Sequence, residues 1–206
     1  MVAMDAVLDQ CAPQVSPVLM QALVRVESAW QPFAIGMDKT QGVVKQPASL
    51  PEAVATAKEL VAAGRKFSVG LAQIHVSNVA LYGMNWEQAF DVCQNLAVGQ
   101  KILWNFYFRA SASGYTGVAA IWAALRGYNS GGVDRAISDE YASRIFAYMS
   151  SAPPQVQIGG GVPSAKPAAG VTLSPLTVAA TPADSGKARL PGESLEIFEK
   201  TKPTGF

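Results

Sequence analysis

Glu27 is the residue whose placement asks for a chemical explanation. In the segment PVLMQALVRVESAW, Leu19, Leu23 and Glu27 recur every fourth position, so a helix carries them on one face, flanked by Val26 and Trp30. A carboxylate therefore stands on the stripe that should meet the core. Burial strips hydration from its charged form and raises its pKa. The negative end of the helix dipole, felt in the last turn, acts in the same direction. A carboxyl group still protonated near neutral pH is what a general acid requires. The position also suits a Glu at the edge of the stripe, reaching water or pairing with Arg25 or Lys39.

Two further segments are odd for a plain core. GLAQIHVSN, residues 70–78, places Gly, Gln, His and Asn among apolar residues. ALRGYNSGG, residues 124–132, places Tyr128 and Asn129 between glycines after an apolar stretch. Glycines allow close backbone approach and unusual turns. Amide and phenol side chains are neutral hydrogen-bonding groups, better matched to a sugar than to a phosphate. Each segment taken alone also serves as a structural turn.

Other chemistries find no residues to carry them. One histidine, His75, and two distant cysteines make no ligand cluster, so neither a metal nor another cofactor is expected. The GGG at 159–161 sits in linker-like composition and is no phosphate loop. Sixteen basic residues oppose fifteen acidic ones without a basic block, which argues against nucleic acid as a partner. No apolar run reaches the roughly 18–20 residues of a membrane helix.

The elements that must position these groups are mostly helical. Half of the residues are hydrophobic and 15% are charged, enough apolar material for a core. Ser16–Pro17 signals a helix start, and the pattern continues over 17–30 until Pro32. A second helix is expected over 51–63, with Ser49 as its cap and Gly64 as its stop. Residues 68–74 read as a short strand able to pair with FAIG. A helix over 93–110 is apolar nearly all round, as in a helix that runs through a core. Helices over 116–125 and 138–149 complete an α+β, predominantly helical domain over 1–150. Beyond it, residues 151–206 are dominated by Pro, Gly, Ala, Ser and Thr up to about 190 and read as a disordered tail. A short apolar spot lies at Leu195, Ile197 and Phe198.

ESAWQPFAIG, GLAQIHVSN and AALRGYNSG, in that order, resemble the three motifs of the soluble lytic transglycosylase domain, whose fold is lysozyme-like and related to goose-type lysozyme. The residues that meet the pattern are Glu27, Ser28, Trp30 and Pro32; Gly70, Leu71, Gln73 and Ile74; and Tyr128, Asn129 and Gly131. Three ordered motifs are a far more specific signal than one. Ala72 departs from the methionine common at its place, and Gly127 precedes Tyr128 where the family has alanine. The long spacer between the first two motifs, the two cysteines and the Pro-rich tail resemble the branch serving type IV secretion and conjugation.

The resemblance implies Glu27 as the sole catalytic acid/base, with Ser28, Gly70, Leu71, Gln73, Tyr128 and Asn129 at the substrate. It implies peptidoglycan glycan strands as substrate, secretion-system subunits as partners of the tail, and a periplasmic location. The opening MVAMDAVLDQCAP does not itself read as a signal peptide. In an exported protein Cys11 and Cys93 form a disulfide candidate closing about 80 residues, worth at most ~4–5 kcal/mol; otherwise they are buried thiols. A hydrolytic muramidase of the same fold and a glycan-binding assembly factor without catalysis are the alternatives.

Overall fold

A computed structural model describes residues 4–38 and 40–150. The reading of 151–206 as a disordered tail, and Lys39 as a partner for Glu27, lie outside the described residues.

The opening segment, for which periodicity predicted no element, forms α1 (Met4–Cys11), with Leu8 and Cys11 buried. Eight residues are too short to form a stable helix alone. A disulfide from Cys11 to Cys93, 82 residues away, ties this helix to the start of α6 (Val92–Ala112). The Gln14 backbone N–H adds a 3.0 Å hydrogen bond to Oε1 of Gln100 on the same long helix.

α2 (Pro17–Ser28) begins at the predicted proline, which fills a first-turn position that needs no N–H donor. Ser16 does not cap it with its side chain, contrary to expectation. The helix stops at Ser28 rather than Trp30, because Ala29 and Trp30 both turn left-handed, with φ of 49° and 66°. Leu19 and Leu23 are fully buried, so the stripe that carries Glu27 does face the core. α3 (Leu50–Ala62) is capped as the sequence predicts: the Glu52 N–H reaches Ser49 Oγ at 3.5 Å, and the Glu52 carboxylate accepts from the Ala48 N–H at 2.9 Å.

The stretch expected as one strand over 68–74 is a hairpin. β2 (Phe67–Val69) and β3 (Ile74–His75) pair antiparallel across a turn at 70–73, and β1 (Ile35–Met37) pairs with β2 on the other side. The register sets Ile35 opposite Val69 and Val69 opposite Ile74, all buried. Gln46 closes the free edge of β1, accepting from the Ile35 N–H at 3.0 Å and donating to its carbonyl at 2.9 Å, as a fourth strand would. Two short helices follow, α4 (Val76–Leu81) and α5 (Trp86–Phe90).

α6 buries its apolar residues Leu96, Val98, Ile102 and Leu103, together with Asn95, Gly99, Gln100 and Ala110. Its other face carries Trp104 and Phe108, packed edge to face with centroids 5.1 Å apart and Phe108 still 45% exposed. The all-round apolar character therefore reflects aromatics covering one another, not a helix enclosed on every side. α7 (Gly117–Ser130) runs to the left-handed Gly131, five residues past the predicted end, so Tyr128 and Asn129 lie on its last turn and not in a loop. Gly127 permits this: a Cβ there would stand 2.3 Å from the Phe106 ring of α6. After a 3-10 turn (Ala136–Ser138), α8 (Asp139–Ser150) packs against α2 and α7. Among the described residues no helix is long and apolar enough to cross a membrane. The expected class, helix-dominated with a small sheet, is the class observed.

Candidate active site

A cleft of about 570 Å³ opens between the sheet and the last turn of α7, with Glu27 in its lining. Gln73 and His75 come to it from the hairpin, and Tyr128 and Asn129 from α7. Three segments far apart in sequence thus converge on one space.

Glu27 is half-buried at the end of α2. Its pKa is pushed up to about 7, first by loss of hydration; a hydrogen bond from Tyr141 and the charge of Arg144 work against the rise without cancelling it. The Tyr141 hydroxyl donates to Oε1 of Glu27 at 2.5 Å. A donor on Oε1 leaves the acid proton to the other oxygen. Arg25, one candidate ion-pair partner, instead lies over the Tyr148 ring at 4.2 Å.

Tyr141 is buried on α8, and no motif pointed to it. Its position depends on Asp139, two residues earlier, which binds the Arg126 guanidinium through both oxygens at 2.5 and 2.8 Å and accepts from Trp122 Nε1 at 2.6 Å. These contacts fasten the start of α8 to α7, and the Arg126 hydrogen bond holds the Asp139 carboxyl below its usual range. The signal in sequence was faint but present. Tyr141 and Ile145 share a helical face that is buried, and a phenol on such a face needs a polar partner.

Tyr128 donates to the Ala72 carbonyl at 2.6 Å, joining α7 to the hairpin turn. Burial, and then the nearby Glu27, push its own pKa well up, so it stays a neutral donor. Asn129 is exposed and accepts from Ser138 Oγ at 3.0 Å. Gln73 spends its amide nitrogen on the carbonyls of Ala34 at 3.1 Å and Gly70 at 2.9 Å, so its oxygen, poised above Gly36, is the atom left for a ligand.

The remaining expected contacts belong to the scaffold. Ser28 is buried and its hydroxyl donates back to the Val24 carbonyl at 3.1 Å. Leu71 is 4% exposed, in the core. Gly70 takes a φ of +77° in the hairpin turn, where a Cβ would stand 2.2 Å from Asn95 Nδ2. These three do not line the cleft. Asn95 is a further residue that the motifs missed. Fully buried on α6, it accepts from the Ala72 N–H at 2.7 Å and donates to the carbonyls of Val69 and Ala89 at 3.0 and 2.7 Å. Every polar atom of its side chain is used to hold the turn.

Trp30, Tyr82 and Trp86 do not line the cleft. Trp86 stacks on Phe67 with centroids 5.8 Å apart, and the Tyr82 hydroxyl accepts from Asn105. The aromatic groups that do line it are Phe106 and Tyr128.

The cleft thus brings the carboxyl of Glu27, its pKa raised by burial, beside the neutral hydrogen-bonding groups of Gln73, Tyr128 and Asn129. Residues 8–148 match the family described as "Transglycosylase SLT domain", and the chain belongs to that family. Among known proteins it is 47% identical over 110 residues to the "Type IV secretion system protein virB1" of Brucella abortus, covering 53% of this chain and 46% of that protein. It is 27% identical over 139 residues to the "Protein virB1" of Agrobacterium fabrum, covering 66% of this chain and 55% of the relative. The matched region spans about half the length of these relatives. No solved structure matches.

Proposed function

We propose that this chain is a peptidoglycan lytic transglycosylase that opens the cell wall locally for assembly of a type IV secretion system. The observation that carries this reading is Glu27 at the cleft, its pKa raised to about 7 by burial, in a domain of the transglycosylase family.

In the proposed reaction the protonated Glu27 delivers its proton to the oxygen of the β-1,4 bond between N-acetylmuramic acid and N-acetylglucosamine. The C1–O bond breaks, and the 2-acetamido group of the substrate stabilises the cationic C1. Glu27, now a carboxylate, takes the proton of the muramyl C6 hydroxyl, whose oxygen bonds to C1 and closes a 1,6-anhydro ring. One carboxyl group serves both steps and ends protonated, so no water is consumed. Tyr141 orients the carboxyl through Oε1. The oxygen of Gln73 and the side chain of Asn129 receive N-acetyl and hydroxyl groups of the strand.

The 1–150 segment is the catalytic unit in this reading, and residues 151–206 carry contacts to secretion-channel subunits. The names of the relatives support a type IV secretion context, and with it a site of action in the periplasm. The test is mass spectrometry of digested cell wall, comparing the protein with Glu27→Gln. Anhydromuramyl ends are expected from the first, and a loss of about 10²–10⁴-fold in rate from the second. Ends heavier by one water would establish hydrolysis instead, and binding without cleavage would make the domain a glycan-binding module.

A further inference from the structure

The sheet side of the cleft carries one more charged group. Asp38, just past the end of β1, lines it together with His75, and its side chain keeps 42% of its surface open. His75 caps α4: its Nδ1 accepts from the Ser77 backbone N–H at 3.2 Å. Nε2 lies 3.9 Å from Oδ2 of Asp38, too far for a direct hydrogen bond, so the imidazole flanks the carboxylate without consuming its acceptors. Among the described residues, the cleft lining contains no lysine or arginine. The other acid of the lining, Glu27, has its pKa raised to about 7 by burial.

A strand of alternating N-acetyl sugars carries no positive charge along its backbone and offers nothing to a fixed carboxylate. Its charged groups are its substituents. We infer that Asp38, flanked by His75, forms a subsite for an ammonium group carried on the glycan strand, so that the cleft prefers strands bearing a free amine and disfavours those presenting only carboxylates. This inference rests on the proposed action on peptidoglycan and adds a selectivity to it. Such an ammonium has two sources: the side-chain amine of a diamino acid in the stem peptide, or a glucosamine that has lost its N-acetyl group.

The experiment measures kcat and KM of the full chain and of Asp38→Asn on four substrates: strands with amine-bearing stem peptides, the same strands with those amines acetylated, strands stripped of peptide, and stripped strands partly de-N-acetylated. For the wild-type chain, acetylation is expected to raise KM by about fivefold with kcat kept, the scale of one partly solvated ion pair. Asp38→Asn is expected to show one KM for acetylated and free-amine strands. A wild-type KM that falls again on partly de-N-acetylated strands assigns the sugar amine, and one that does not assigns the peptide amine; both sustain the subsite. A KM for the wild-type chain indifferent both to acetylation of the peptide amines and to partial de-N-acetylation of the sugars overturns it. So does an Asp38→Asn variant that loses kcat on every substrate, since Asp38 would then serve the chemistry itself. No cleavage of any strand by the wild-type chain refutes the proposed function instead.

Discussion

The helical wall of the cleft and its sheet wall hold functional groups by opposite means. On the helical side Glu27 grows from a buried stripe of α2, and its surroundings set its protonation: hydration is lost, and one buried phenol from α8 fixes one oxygen. On the sheet side the main chain does the work. The hairpin turn is held by Asn95 and Tyr128, which grip the N–H and the carbonyl of Ala72, and Gln73 is presented from a left-handed backbone of φ 47°. Packing tunes a proton on one wall, and backbone geometry places acceptors on the other. A general acid needs a low-polarity surround more than a fixed hydrogen-bond lattice, whereas sugar recognition needs the lattice.

Gly70→Ala strikes the sheet wall hardest. The new Cβ meets Asn95, whose three hydrogen bonds prevent it from yielding, and the backbone is left-handed. A loss of about 2–4 kcal/mol in unfolding free energy is expected. In protein that remains folded, KM should rise while the pH midpoint of the rate stays unchanged. A shifted midpoint would show that the two walls are coupled.

Tyr141→Phe acts on the helical wall with a smaller effect on stability, about 1–1.5 kcal/mol for one hydrogen bond. The Tyr141 hydroxyl lowers the pKa of Glu27, so its removal lets burial raise that pKa further. The alkaline limb of the rate profile should move to higher pH while kcat drops about tenfold from lost orientation. A limb that moves to lower pH would mean that the phenol sustains the acid in some other way.

The two walls also differed in how far they could be read from sequence. Glu27 was legible because a period of four residues places it on the face of Leu19 and Leu23, both fully buried, although the same position also suited a Glu reaching water. Gln73 and Tyr128 were found through motif resemblance, but their local structures were not. SVGLAQI reads as one strand because its apolar residues continue through a turn that Gly70 and Asn95 make together, 25 residues apart. The last turn of α7 looked like a loop because Gly127 and Gly131 bracket it. Only the Phe106 ring lying against Gly127 explains a glycine inside a helix. Tyr141 meets Glu27 across 114 residues, a contact that belongs to the packing of α8 on α2 and to no local pattern. The same holds for α1, whose eight residues are fastened by a disulfide rather than by helix propensity.

The protonation of Glu27 is the quantity on which the mechanism turns, and it is open to direct measurement. With carboxyl-carbon labelling, the Glu27 resonance is identified by its absence from Glu27→Gln and followed by NMR across the pH range. The account predicts a midpoint near 7, where the pKa is pushed to about 7 by burial, and a rate that falls as pH rises through that same midpoint, because the proton donor is lost. A midpoint in the ordinary carboxylate range near 4.3 would leave Glu27 ionised at neutral pH and contradict its assignment as the acid.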